Sequence, residues 1–203
     1  MKKTMTILAL ILLALSGPGS ALAVADLSPD GLFLKRLEGR YFFLGCNLHA
    51  DMINNKISTV NYQLPGEVLL WGTEVRIIRV GNRRLVFEEM KNNRRYTYEF
   101  HWKTRRIGLL PEHLGRVFLE TADELQQKVE AMSGVDRDGI YEARVKPGMS
   151  REAVLVAIGY PPEFANREAL ETDRDWLYWI SRHKKMIVSF GRDGLVSRIS
   201  GDY

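Results

Sequence analysis

The sequence predicts an α+β protein: a small antiparallel β-barrel or bent sheet, followed by two helices packed on a three-stranded antiparallel meander. Three observations predict it. From Tyr41 to Trp102 apolar residues recur with a period of two, interrupted by tight turns. From Ala122 to Ile158 the apolar period lengthens to that of a helix. From Trp176 to Ile199 the period of two returns.

In chain order, residues 1–25 read as a secretory leader outside the fold. Lys2 and Lys3 precede an apolar run from Ile7 to Leu15, Gly17-Pro18-Gly19 breaks it, and Ala21-Leu22-Ala23 and Ala23-Val24-Ala25 each offer a small-residue cleavage site. The run is well short of the roughly 18 residues a spanning helix needs. Cys46, preceded by Phe43-Leu44-Gly45, has the outline of a lipid-attachment site. Lys35, Arg36, Glu38 and Arg40 nevertheless stand between it and the apolar run, where a signal peptidase requires continuous apolar sequence. The expectation is therefore export to the periplasm without a lipid anchor, with the chain free or peripheral on the outer membrane.

Residues 26–118 form the β-rich unit. Asp26 to Gly39 is a lead-in, in which Leu32, Phe33, Leu34 and Leu37 make a short helix after Ser28-Pro29. Ile57, Thr59 and Asn61 then alternate with Val60 and Tyr62, and Val75 and Ile77 begin a longer strand. Gly81-Asn82 turns the chain, Leu85 and Phe87 return, Asn92-Asn93 turns it again, and Tyr96, Tyr98 and Phe100 follow. Short strands joined by tight turns favour a strongly bent sheet or barrel. The piece Leu69-Leu70-Trp71-Gly72-Thr73-Glu74-Val75 resembles the entry to a strand in bacterial SH3-like domains. That resemblance implies a barrel that binds peptide, glycan or protein.

Residues 119–203 form the second unit, after a crossing between Gly115 and Thr121. Ala122, Leu125, Val129 and Met132 step along one helical face and stop near Gly134. Ser150 is an N-cap, Glu152 puts negative charge in the first turn, and Ala153, Val154, Ala157 and Ile158 make an apolar face. Gly159 ends that helix and Pro161-Pro162 forbids its continuation. Trp176, Tyr178 and Ile180 lie on one side of a strand, with Leu177 and Trp179 on the other. Met186, Val188 and Phe190 repeat the pattern, Gly191-Arg192-Asp193-Gly194 reverses the chain, and Leu195, Val196 and Ile199 complete the sheet.

These elements resemble a family. Gly148-Met149-Ser150, Gly159-Tyr160-Pro161, Trp176-Leu177-Tyr178, and Val188-Ser189-Phe190 followed by Asp193-Gly194-Leu195-Val196 are similar in order and spacing to the BamE family, also called SmpA/OmlA. The resemblance covers the last third of the chain. It implies a small envelope module that binds protein or lipid, of the kind that assists assembly of outer-membrane barrel proteins. The same two-helix, three-strand unit is similar to that of a β-lactamase inhibitor protein, so the fold leaves the partner open.

Composition excludes some functions. Without Lys2 and Lys3, 27 basic residues face 25 acidic ones. That is no nucleic-acid signature. His49, His101, His113 and His183 stand at no metal-ligand spacing, no glycine loop cradles phosphate, and no serine sits in a nucleophile motif. No cofactor is expected. His101, between Phe100 and Trp102, reads as a surface or half-buried strand residue rather than a ligand. The lone Cys46 can form no internal disulfide and is expected to be buried and inert.

Two features point to binding. Arg83-Arg84, Arg94-Arg95 and Arg105-Arg106 mark strand ends, and gathered on one rim they would attract anionic lipid or an acidic partner. Solvation of hairpin ends explains them more simply and is the favoured reading. Trp71, Trp102, Trp176 and Trp179 exceed what two small cores comfortably hide. Because helices cover only one face of the meander, Leu177 and Trp179 must be covered by the first unit, a partner or water.

The sequence thus reads as a non-catalytic periplasmic adaptor in assembly or maintenance of the outer membrane. Trp71, Trp179, Arg83, Arg84, Arg94 and Arg95 are its candidate binding residues. Its expected partners are envelope proteins, outer-membrane assembly components among them, or anionic lipid or peptidoglycan. A cell-wall glycan binder and a protein inhibitor are alternatives within the binding class. A thiol enzyme using Cys46 is the alternative outside it.

Overall fold

A computed structural model describes residues 34–51, 53–63, 65–106, 110–162, 164–166 and 170–201. The leader and most of the lead-in lie outside the described residues. Of the lead-in helix expected there, Leu34 and Leu37 are described, and both are buried.

The fold is mixed α+β. Its largest element is a six-stranded curled sheet made from β1 (Tyr41–Leu44), β3 (Lys56–Ser58), β5 (Glu74–Gly81), β6 (Arg84–Glu89), β7 (Arg95–Glu99) and β8 (Phe118–Leu119). The order is β3-β7-β6-β5-β1-β8. The β5–β6–β7 hairpins turn where Gly81-Asn82 and Asn92-Asn93 predict them, and Asn93 takes a positive φ of 58°. Along β5 the buried residues are Val75, Ile77 and Val80, a slip in the alternation that coincides with a register shift between Ile77 and Arg79. Such a bulge bends and twists its strand, which helps the sheet to curl. β3 joins the edge in parallel with β7. A separate two-stranded sheet pairs β2 (Leu48–Ala50) with β4 (Glu67–Leu69).

The first core is filled by rings and aliphatic chains of this sheet. Phe87 stacks on Tyr96 at 5.4 Å between centroids, and Phe118 meets both Phe87 and Tyr98 edge-on. Two helices that the period-two reading did not anticipate follow β7: α1 (Trp102–Arg106) and α2 (Leu110–Val117). α2 buries Leu110, His113, Leu114 and Val117, and the His113 Nε2 lies 2.8 Å from the Tyr98 hydroxyl. β8 then pairs with β1, so the first core draws on the chain as far as Phe118.

The C-terminal part carries three helices where two were expected. α3 (Asp123–Ala131) presents Val129 to the core, with Leu125 and Met132 half-buried beside it. α4 (Gly134–Tyr141) is the additional helix. Ser133 caps it by accepting from the Asp136 N–H at 3.2 Å, and Ile140 is fully buried. α5 (Arg151–Ile158) begins at Ser150, whose hydroxyl accepts from Ala153 N at 3.2 Å. β9 (Asp175–Trp179), β10 (Lys185–Phe190) and β11 (Val196–Gly201) form the antiparallel meander in the order β11-β10-β9. Trp176, Tyr178, Met186, Val188, Phe190 and Val196 face the helices and are buried. Among the described residues no helix is long and apolar enough to cross a membrane.

Candidate binding surface at the junction of the two cores

The two cores meet around the C-terminus of α5. The last carbonyls of a helix have no partner within it and, if buried, must find one elsewhere. Here the first part of the chain supplies most of them. Gly159 N–H donates to Leu155 O at 3.0 Å. Asn47 N–H donates to Val156 O at 2.9 Å, and Asn47 Nδ2 donates to Ala157 O at 3.0 Å and to Ile140 O at 2.6 Å. Ile158 O accepts from Asn61 Nδ2 at 2.9 Å and from Gln63 Nε2 at 3.2 Å. The Tyr178 hydroxyl completes the set by donating to Gly159 O at 3.1 Å, and burial holds that phenol well above its ordinary pKa. Asn61 sits at a φ of 48°, a region asparagine tolerates better than most residues. Gly159, with a φ of 82°, could not carry a side chain without strain, since a Cβ there would lie 2.9 Å from Asn61 Nδ2.

Cys46 lies against this cap, its Sγ 3.6 Å from where a Gly159 Cβ would stand. It is 1% exposed, and burial pushes its thiol up to about 12. A thiolate is the reactive form, so this sulfur is a poor nucleophile at neutral pH.

Over the junction runs a line of aromatic rings. Trp102, at the start of α1, is 50% exposed and lies 5.9 Å from the His101 ring. His101 stacks on Phe164 at 5.1 Å, and Phe164 meets Trp179 edge-on at 6.5 Å. Lys103 Nζ stands 5.5 Å from the Trp102 ring and 5.0 Å from that of Phe164, and Lys185 Nζ lies 4.9 Å from that of Trp179. The His101 pKa is lowered by burial and then by the charges of Lys103 and Arg105. Both effects favour the neutral imidazole, and among the described residues its Nδ1 has no hydrogen-bond partner.

Of the residues expected to bind, Trp71 and Trp179 are both half-buried at the junction. Trp71 packs against the second core and tilts on Tyr141 at 6.5 Å, while its backbone N–H donates to Asn47 Oδ1 at 2.8 Å. Trp179 is covered in part by Phe164, and its carbonyl accepts from Gln63 N–H at 3.2 Å. Leu177 is covered at its strand edge, where the Asn166 amide both donates to its carbonyl at 3.2 Å and accepts from its N–H at 2.8 Å.

The arginine doublets do not gather on one rim. Arg83 and Arg84 lie at the β5–β6 turn, where Arg105 also reaches the Asn82 carbonyl at 3.5 Å. Arg94 and Arg95 lie at the opposite end of β6, because one strand length separates its two turns. Arg94 is paired with Glu67, Arg95 with Glu88 at 2.7 Å, and the Arg94 guanidinium lies 5.6 Å from the centroid of the Tyr96 ring.

A cleft of about 530 Å³ opens on the same junction, lined by the β2–β4 sheet, the segment after α4 and the near ends of the meander strands. Sequence reasoning did not single out Asn47, Gln63, Phe164 or the cleft. Their partners come from distant segments and carry no local pattern. No family model, curated protein or solved structure matches this chain.

Proposed function

We propose that the protein is a non-catalytic adaptor of the Gram-negative cell envelope, exported to the periplasm, where it serves outer-membrane assembly or maintenance by binding an envelope protein. The observation that carries this reading is the half-exposed Trp102 at the head of a ring line that spans the two cores. A large amphipathic ring flanked by a cation, on a support stiffened by the α5 cap, is the composition of an interface anchor. The leader supports export. The similarity of the last third to the BamE family supports the envelope role, and the SH3-like strand entry supports a binding rather than a catalytic first part. The inertness of Cys46 disfavours the thiol-enzyme alternative.

The reading is tested by affinity capture of the exported chain from envelope extracts after mild crosslinking, beside a Trp102→Ala variant. The expected result is enrichment of an outer-membrane assembly or maintenance protein by the wild type and its loss in the variant, with melting unchanged. Equal recovery by both proteins, or none by the wild type, would overturn it.

A further inference from the structure

We propose that the junction cleft is a binding site for a single acyl chain bearing an anionic headgroup. The proposal stands independently of the adaptor reading. The cleft's volume, about 530 Å³, falls within the range of roughly 300–1,000 Å³ typical of small-ligand sites. Its walls are largely aliphatic, with Val68, Val145, Ile158, Ile180, Met186 and Ile199 among them. Val145, Ile180 and Ile199 pack against the second core yet remain only partly buried, so one side of each is left without apolar neighbours. Filling that side removes apolar surface from water, which favours an apolar ligand.

The charged side chains of the cleft, Glu142 and Arg144, set the ligand's charge, and Gln63 and His49 are the other polar side chains of its lining. Gln63 Nε2 is committed to Asn61 O at 2.6 Å and Ile158 O at 3.2 Å. Glu142 is held by Lys146 at 2.7 Å. Arg144 also lines the cleft, is exposed, and pairs with no carboxylate among the described residues. It is carried there by Ala143 at a φ of 51°, a conformation a non-glycine residue adopts at some cost. The cleft is therefore an apolar trough with a cation that its described neighbours leave unneutralised, complementary to an apolar tail with a negative head. A peptide would bring backbone N–H and C=O groups that each need a partner along the aliphatic part of the trough. An acyl chain brings none.

A fatty acid and a lysophospholipid share this chemistry. The test is titration of the full chain with cis-parinaric acid, whose fluorescence rises in an apolar site, followed by displacement with palmitate, lysophosphatidylglycerol or uncharged hexadecanol below their micellar concentrations. The expected result is saturable binding that Arg144→Glu weakens about tenfold for the anionic ligands and leaves unchanged for hexadecanol. Displacement by palmitate alone assigns a fatty acid, and displacement by the lysolipid assigns that headgroup. Val145→Gln, at a half-buried wall, is expected to weaken all ligands while melting remains cooperative. Absence of saturable binding to the folded wild type would overturn the proposal. So would anionic binding unchanged in Arg144→Glu, or displacement by neither palmitate nor the lysolipid.

Discussion

Asn47 and Asn61 stand 93 to 110 residues from the carbonyls they cap, and this separation explains both their importance and their invisibility to a reading by local pattern. Ser150 and Gly159 were legible because their roles are set within one turn of helix. Asn61 was legible only as one polar residue in an alternating stretch. Replacing it with alanine removes donors to Asn47 O and Ile158 O and the acceptor for His49 N–H, and leaves alanine at a positive φ. Asn61→Ala is expected to destabilise by about 2–4 kcal/mol in urea unfolding. A loss under about 1 kcal/mol would mean that water replaces these bonds without penalty. Cys46 gives a second expectation at this scale. Its folded pKa of about 12 lies above the ordinary 9.0, so the unfolded chain loses the proton first. The stabilisation is complete below pH 9 and is lost as the pH rises toward 12. Wild type is therefore expected to lose more thermal stability between pH 8 and pH 10.5 than Cys46→Ala does. Parallel decline of the two would contradict the burial of the thiol.

Elements were legible where the apolar period was regular. The hairpins about Gly81-Asn82 and Asn92-Asn93, the meander from Trp176 to Ile199 and the helix after Ser150 all follow their local signals. The helices α1, α2 and α4 were missed for a different reason in each part of the chain. α1 is short and follows a strand-like aromatic run, so nothing marks its start. α2 does carry a helical signal, with Leu110, Leu114 and Val117 at helical spacing and Pro111 in the first turn, which the period-two reading of the preceding strands passed over. α4 holds Gly134 and Gly139, which lower helix propensity by about 1 kcal/mol each relative to alanine. Gly139 is explained by packing, since a Cβ there would stand 2.3 Å from Met149 Sδ and 2.9 Å from Arg144 O. Gly139→Ala would gain helix propensity in an isolated helix. In this fold it is expected to destabilise by about 1–3 kcal/mol, because the backbone oxygen of Arg144 cannot move aside as a flexible side chain could. Denaturant midpoints measure the sign, and a stabilised variant would contradict the close packing of α4 against Met149 and Arg144. The arginine doublets give the matching lesson for surfaces. Their positions at strand ends were readable, but which end each occupies follows from the pairing order alone.

In the whole molecule the two cores are joined by polar groups of one and a carbonyl terminus of the other. Trp71, Gln63 and His101 come from the first part of the chain and complete surfaces of the second. The α+β class, the two hairpins and the C-terminal meander could be read from periodicity, whereas the order of the six-stranded sheet, with β3 parallel to β7 and β8 on β1, could not. The junction could not, because it is made of residues whose local role is ordinary and whose partners are remote. The candidate binding surface lies on that junction, with the half-exposed Trp102 at the head of its ring line. The most direct test of the account is photo-crosslinking in the intact envelope, with a benzophenone amino acid placed at Trp102 and, as a control, at Tyr41, which is equally exposed on β1. The account predicts a discrete adduct with an envelope protein from position 102 and none from position 41. No adduct from position 102 in correctly exported protein, or the same adducts from both positions, would contradict it.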